Sequence, residues 1–228
     1  INGLGARVLS IVSTSDNDAN VTVRVISPDG TFEPAERNTF TVTAGAVVTS
    51  DMTTALPQTP DGSLPATLEL TSDQPIVVGM RQFFGGNRVQ DETAFSAGAQ
   101  PINGPSAVSG LPVRDATDIR LAISAPEGDV EVDIVLLPFL GGKSVGEPTT
   151  PRRITVAAGK LRNIKLDPPT GIDWYTAIVT PVEGSGPVLL AHRIREKSRF
   201  GDLITGYPWS PLRIEVSVPS AAQNEAVA

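Results

Sequence analysis

The chain has 228 residues, a net charge of −7, 40% apolar residues and no cysteine. This balance excludes a disordered protein, a general nucleic-acid binder and any disulfide or thiolate metal site, because phosphate contacts need a basic face and the crosslinks need sulfur. The longest apolar run, Ile134 to Leu140, is seven residues long and holds Pro138, far short of the ~20 residues a membrane-spanning helix needs. The chain starts at Ile1 rather than Met and shows no signal peptide, so it reads as an excised or processed piece.

Short segments rich in Val, Thr and Ile alternate with Gly, Pro and Asp turns, the pattern of many short strands. Ala6 to Ser13 forms a first strand, and Ser15 to Asn20 a turn whose side chains bond their own backbone. Asp16 and Asp18 open like a calcium loop, yet Val21 and Ser27 stand where glycine and glutamate belong, so the segment reads as a plain turn. Val21 to Val25 has valine at every second position, a half-buried strand closed by Pro28-Asp29-Gly30. Phe40 to Thr43 and Val47 to Thr49 flank an Ala44-Gly45 corner. Leu56 to Pro65 is loop, and Leu68 to Leu70 resumes a strand.

Pro75-Ile76-Val77-Val78-Gly79-Met80-Arg81 is apolar at nearly every position and predicts a strand buried on both faces. It returns as Pro187-Val188-Leu189-Leu190-Ala191-His192-Arg193. Ile119 to Ser124, Val130 to Val135, Ile154 to Gly159 and Tyr175 to Val179 repeat the earlier strands in order, which predicts an internal duplication. The expected architecture is all-β: two tandem immunoglobulin-like β-sandwiches over residues 1–105 and 106–219, joined near Pro101 to Ser106, with a disordered tail over 220–228.

His192, the only histidine, replaces Met80 on an inward position and reads as a core histidine rather than a catalytic base or zinc ligand. Gly85-Gly86-Asn87 and Gly141-Gly142-Lys143-Ser144 read as hairpin loops, since no helix follows to make a phosphate cradle. Arg81 and Arg193 end the repeated strand, and each is expected to hold a loop carbonyl or a carboxylate such as Glu92 or Asp202, or else a partner. Phe83-Phe84, Trp174-Tyr175 and Tyr207-Pro208-Trp209 are neighbours, so at least one member of each strand pair faces away from the core. Exposed aromatics anchor partners or stack on sugars. The candidate contact residues are therefore Arg81, Phe83, Phe84, Trp174, Tyr175, Arg193, Tyr207 and Trp209. No catalytic constellation and no cofactor or metal site is legible; a carboxylate pair such as Asp91 and Glu92 is weak evidence of acid–base chemistry.

A strand, an acidic turn, a valine strand ending in Pro28-Asp29-Gly30, a Thr-Val-x-Ala-Gly corner at 41–45 and again at 155–159, and a Ser-Asp-x-Pro-Ile-Val-x-x-x-Arg strand at 72–81 are present here. This set resembles the tandem β-domain proteins of unknown function found outside the cytoplasm in actinobacteria, usually behind a signal or membrane anchor. The likeness runs through Val42 to Gly45, Ser72 to Arg81, Pro101 to Pro105 and their second-half counterparts. It implies a secreted or membrane-anchored, non-enzymatic interaction or scaffold module of the cell envelope. The partner would be an envelope protein or, alternatively, a polysaccharide, with no nucleic acid and the membrane met only through an anchor outside this chain. One departure is Pro181 to Gly186, which stands where the family has its compact Ser-Asp turn.

Overall fold

A computed structural model describes residues 4–56, 66–86, 89–198 and 201–212. All regular elements among them are strands. The N-terminal half holds β1 (Leu4–Ser13), β2 (Ala19–Ile26), β3 (Thr31–Phe32), β4 (Thr39–Val42), β5 (Val47–Asp51), β6 (Thr67–Ser72), β7 (Ile76–Gly86) and β8 (Val89–Ala97). The C-terminal half adds β9 (Ser106–Pro112), β10 (Thr117–Ala125), β11 (Val130–Leu140), β12 (Lys143–Ser144) and β13 (Arg152–Val156). It continues with β14 (Lys160–Lys165), β15 (Trp174–Pro181), β16 (Leu189–Ser198) and β17 (Gly201–Pro208).

These strands form four antiparallel sheets, none closed on itself. Sheet I has the order β5-β1-β7-β8, and sheet III the order β14-β10-β16-β17. In sheet II β2 pairs with β3 and β4 along one side and β6 along the other. In sheet IV β11 pairs likewise with β12, β13 and β15, and β9 extends the sheet beyond β15. The strand order thus repeats between the halves, with β9 as the addition.

Period-two patterning decides which face is covered. From Ala19 to Val25 β2 alternates between core and solvent, and its valines at 21, 23 and 25 all face inward and meet Leu9 and Ile11 of β1 in one cluster. In the C-terminal half Val130, Val132 and Ile134 of β11 meet Leu121 and Ile123 of β10 in the same way. The Ala-Gly corners fold alike: Gly45 and Gly159 take φ of 67° and 69°, where a side chain would be strained. Each corner is tied by an aspartate, Asp18 Oδ1 accepting from Ala44 N at 2.9 Å and Asp129 Oδ1 from Ala158 N at 2.8 Å. The acidic turn therefore serves the backbone of the neighbouring corner.

The departure at Pro181 to Gly186 has a simple resolution. In the N-terminal half Asp73 Oδ1 accepts from Asn20 N at 2.7 Å; in the C-terminal half Ser185 Oγ accepts from Glu131 N at 3.0 Å. A hydroxyl has taken the place of a carboxylate in satisfying the same strand-end donor.

The repeated apolar strand corrects one expectation. β7 lies between β1 and β8 in its sheet, but only one of its faces is covered: Val77 is 59% exposed, while Val78 and Met80 pack on the core. In β16 the inward Leu190 and His192 are buried and the outward Leu189 and Ala191 are half-buried. The same near-continuous apolar run is covered on both faces only where the other half of the chain lies against it. Gly85 and Gly86 also depart from the loop reading, since both pair within β7 and β8, to Gln90 and Val89. Gly141 and Gly142 do form the β11–β12 hairpin turn. The segment 57–65, Asn87 and the tail at 220–228 lie outside the described residues.

Candidate functional site

The halves meet along the outward face of sheet III. Ser124 Oγ of β10 lies 2.7 Å from Thr67 Oγ1 of β6, and Leu161 N of β14 donates to Ser27 O at 3.1 Å. Thr31 Oγ1 donates to Gly159 O at 2.8 Å. Leu161 is 2% exposed although it faces away from the core of its own half, because the N-terminal half covers it.

At this junction lies a partly open cavity of about 330 Å³ lined by both halves. Its polar lining includes Arg7, Arg120 and Arg193, and no aspartate or glutamate among the described residues. Arg7 takes the inward parity of β1 together with Leu9 and Ile11, and burial pushes its guanidinium down to about 10. Arg120 and Arg193 are register partners on the outward face of sheet III. Both reach one oxygen, Asp118 Oδ2, from 3.0 Å and 3.4 Å. Burial lowers the Arg193 pKa, an effect that Asp118 opposes and Arg120 and Arg195 reinforce. Arg193 Nε is buried and has no hydrogen-bond partner among the described residues.

His192 borders the same cavity, and only 6% of it is exposed. Trp209 Nε1 donates to His192 Nδ1 at 3.0 Å, so the proton of the neutral ring sits on Nε2. Burial lowers the histidine pKa and keeps the ring neutral near pH 7. It is a satisfied core histidine, as its position in the strand predicts.

The corresponding outward face of sheet I is open. Val12 pairs with Val47 on one side and Val77 on the other, which sets three valines in a row across three strands. Val47 is 60% exposed, and Phe95, the register partner of Arg81, is 65% exposed. Arg81 stacks on Phe83 with its guanidinium carbon 4.6 Å from the ring centre.

The remaining candidates divide. Trp209, 1% exposed, and Tyr175, fully buried, belong to the C-terminal core and are withdrawn as contact residues. Tyr175 takes an inward position of β15, and Trp209, just past β17, is buried with its Nε1 on His192. Trp174, the outward neighbour of Tyr175, and Tyr207 do reach solvent, Trp174 with the guanidinium carbon of Arg114 5.7 Å from its ring centre. They lie in different sheets, IV and III, and share no platform. Arg193 holds a carboxylate, but that of Asp118; Arg81 has an aromatic partner instead. Phe84 is paired in β7, and its side chain lies outside the described residues, as do those of Asp91, Glu92 and Asp202. Residue-type reading missed Arg7, Arg120 and Phe95. The parity of Arg7 with Leu9 and Ile11 is the signal that marks it, since an arginine on an apolar parity is rare without a reason.

Residues 3–167 match the profile of a family of unknown function, DUF5719. The chain belongs to that family. No match to a curated protein is found at useful significance. The DUF5719 match spans the whole N-terminal half and runs into the C-terminal half through β14, so it takes in the open face of sheet I and the Arg120 side of the cavity.

Proposed function

We propose that the chain is a non-enzymatic binding module of the bacterial cell envelope, built from two immunoglobulin-like β-sandwiches that arose by duplication. It engages a protein partner through the outward face of sheet I. The observation that carries this reading is the contrast between corresponding positions. Val47 is open where Leu161 is buried, and Val77 is open where Leu189 is half-buried. Within the chain the sheet III version of this face already serves as a protein–protein contact. The sheet I version keeps the apolar character, with Val12, Val47, Val77 and Phe95, and adds the Arg81–Phe83 pair. A contiguous exposed apolar patch of this kind marks an interaction surface. The partner it fits is another β-sandwich unit presenting an open pair of sheet edges, as the N-terminal half presents to sheet III. The extracytoplasmic, actinobacterial setting rests on the sequence resemblance, and fractionation of native cells tests it.

A photo-crosslinking side chain at Val77 of the whole chain, with an exposed control at Arg152, tests the contact. One discrete protein adduct from the first site and none from the control is expected, and Phe95→Glu should remove it. Adducts that survive Phe95→Glu, or binding that responds only to polysaccharide and to Tyr207→Ala, would overturn the reading.

A further inference from the structure

We infer that the cavity between the halves is a binding site for an amphipathic anion, with a carboxylate or phosphoryl headgroup held by the arginines and an apolar chain lying along the seam. The charge balance comes first. The chain as a whole is acidic, at −7, yet Arg120 and Arg193 present two guanidinium groups to this cavity around the one carboxylate of Asp118. Asp118 offsets only part of the charge of this pair, because Arg120 and Arg193 share a single carboxylate oxygen.

The second observation is donor capacity. Arg193 Nε is buried without an acceptor among the described residues. A buried unsatisfied donor costs about 1–3 kcal/mol, and more when it is charged. A headgroup oxygen between Arg120 and Arg193 would satisfy it, and the planar fork of each guanidinium suits carboxylate and phosphate oxygens. The third observation is the rest of the wall. Leu70, Val78 and Met80 from the N-terminal half and Leu189, Leu190 and Ile204 from the C-terminal half make it apolar. The volume lies near the lower end of the ~300–1,000 Å³ range of small-molecule sites. A fully hydrated inorganic anion would leave those walls wet, whereas a headgroup with a hydrocarbon chain uses both parts.

Calorimetry on the whole chain with decanoate, decyl phosphate and 1-decanol tests this. One anion should bind per chain, with the alcohol at least about tenfold weaker, the loss expected when charge-assisted bonds are absent. The tighter of the two anions assigns the headgroup. Arg193→Gln should weaken the anion at least about tenfold and leave the alcohol unchanged. Should that variant unfold, Arg120→Gln at the better-exposed guanidinium carries the same test. Ala122→Leu, which fills the cavity from β10, should abolish binding without lowering Tm. No binding by any of the three, equal binding of anion and alcohol, or full affinity in both arginine variants would overturn the inference.

Discussion

The two halves share a strand order and differ in how they are closed. In the C-terminal half β9 covers the edge of β15, while Ile102 bridges to Val188 and Trp209 fills the core. The described edge of β6 has no such strand, and the N-terminal half borrows its cover from the outward face of sheet III. Among the described residues the buried clusters follow: twenty residues in the one centred on the C-terminal half, Ile102 included, against nine in that of the N-terminal half, where Leu68, Leu70, Val78 and Met80 pack only partly buried. The lesson is that a repeated pattern fixes pairing and parity, while burial on the outward parity depends on what the neighbouring unit brings.

The comparison breaks most visibly at the repeated strand. Leu190→Asp should cost several kcal/mol and unfold the C-terminal half, because it strands an unpaired charge at a position only 3% exposed. Val78→Asp, at a partly buried position, should cost clearly less in the same denaturant melt; equal losses would refute the claim that the N-terminal half is the looser. Next in size, Trp209→Ala should cost about 3–5 kcal/mol, more than any single aromatic truncation in the N-terminal half. A surface effect only would return Trp209 to the list of contact residues.

The corresponding pair Leu161 and Val47 sharpens the difference between covered and open faces. Leu161→Ala should cost about 2–4 kcal/mol, and Val47→Ala should stay within about 0.5 kcal/mol, both read from thermal melts. The smallest effect concerns pH. The folded pKa of His192 lies below its unfolded value of 6.5, so between the two the unfolded chain binds more protons. Its stabilisation is therefore full above about pH 6.5 and is lost as the pH falls toward the folded pKa. Tm should drop on going from pH 7 to pH 5, and His192→Met, which copies the residue of the N-terminal half, should flatten that slope while lowering Tm at pH 7 through the orphaned Trp209 donor. An unchanged slope would place the sensitivity elsewhere.

Much of the fold is readable from period-two valines and positive-φ glycines, because both act locally: Val21 to Val25 and the corners at Gly45 and Gly159 need no distant information. His192 was legible for the same reason, as its parity matches that of Val188 and Leu190. The misreadings at Trp209, Tyr175 and the outward side of β7 have a common cause. Parity says that two neighbours face opposite ways, but not which way is wet, and that choice is made by β9 and by the docking of sheet III. Of the cavity's arginines, Arg120 and Arg193 are joined by the pairing of β10 with β16, whereas Arg7 lies in the other half of the chain, so only the assembled junction adds it to them.

The junction also has a mechanical consequence. On one margin it is stitched by main-chain atoms, with Leu161 N on Ser27 O and Gly159 O receiving Thr31. Those bonds need a hydroxyl and a glycine corner but little else of the local sequence. On the opposite margin, where β8 and β17 run alongside each other, no main-chain hydrogen bond joins the two strands among the described residues. The molecule is bound like a book, with a backbone spine at the β14 corner and a fore-edge at β17. Along the fore-edge side chains alone hold the described parts of the two covers together, so substitutions there change how tightly the covers close more than substitutions at the spine do.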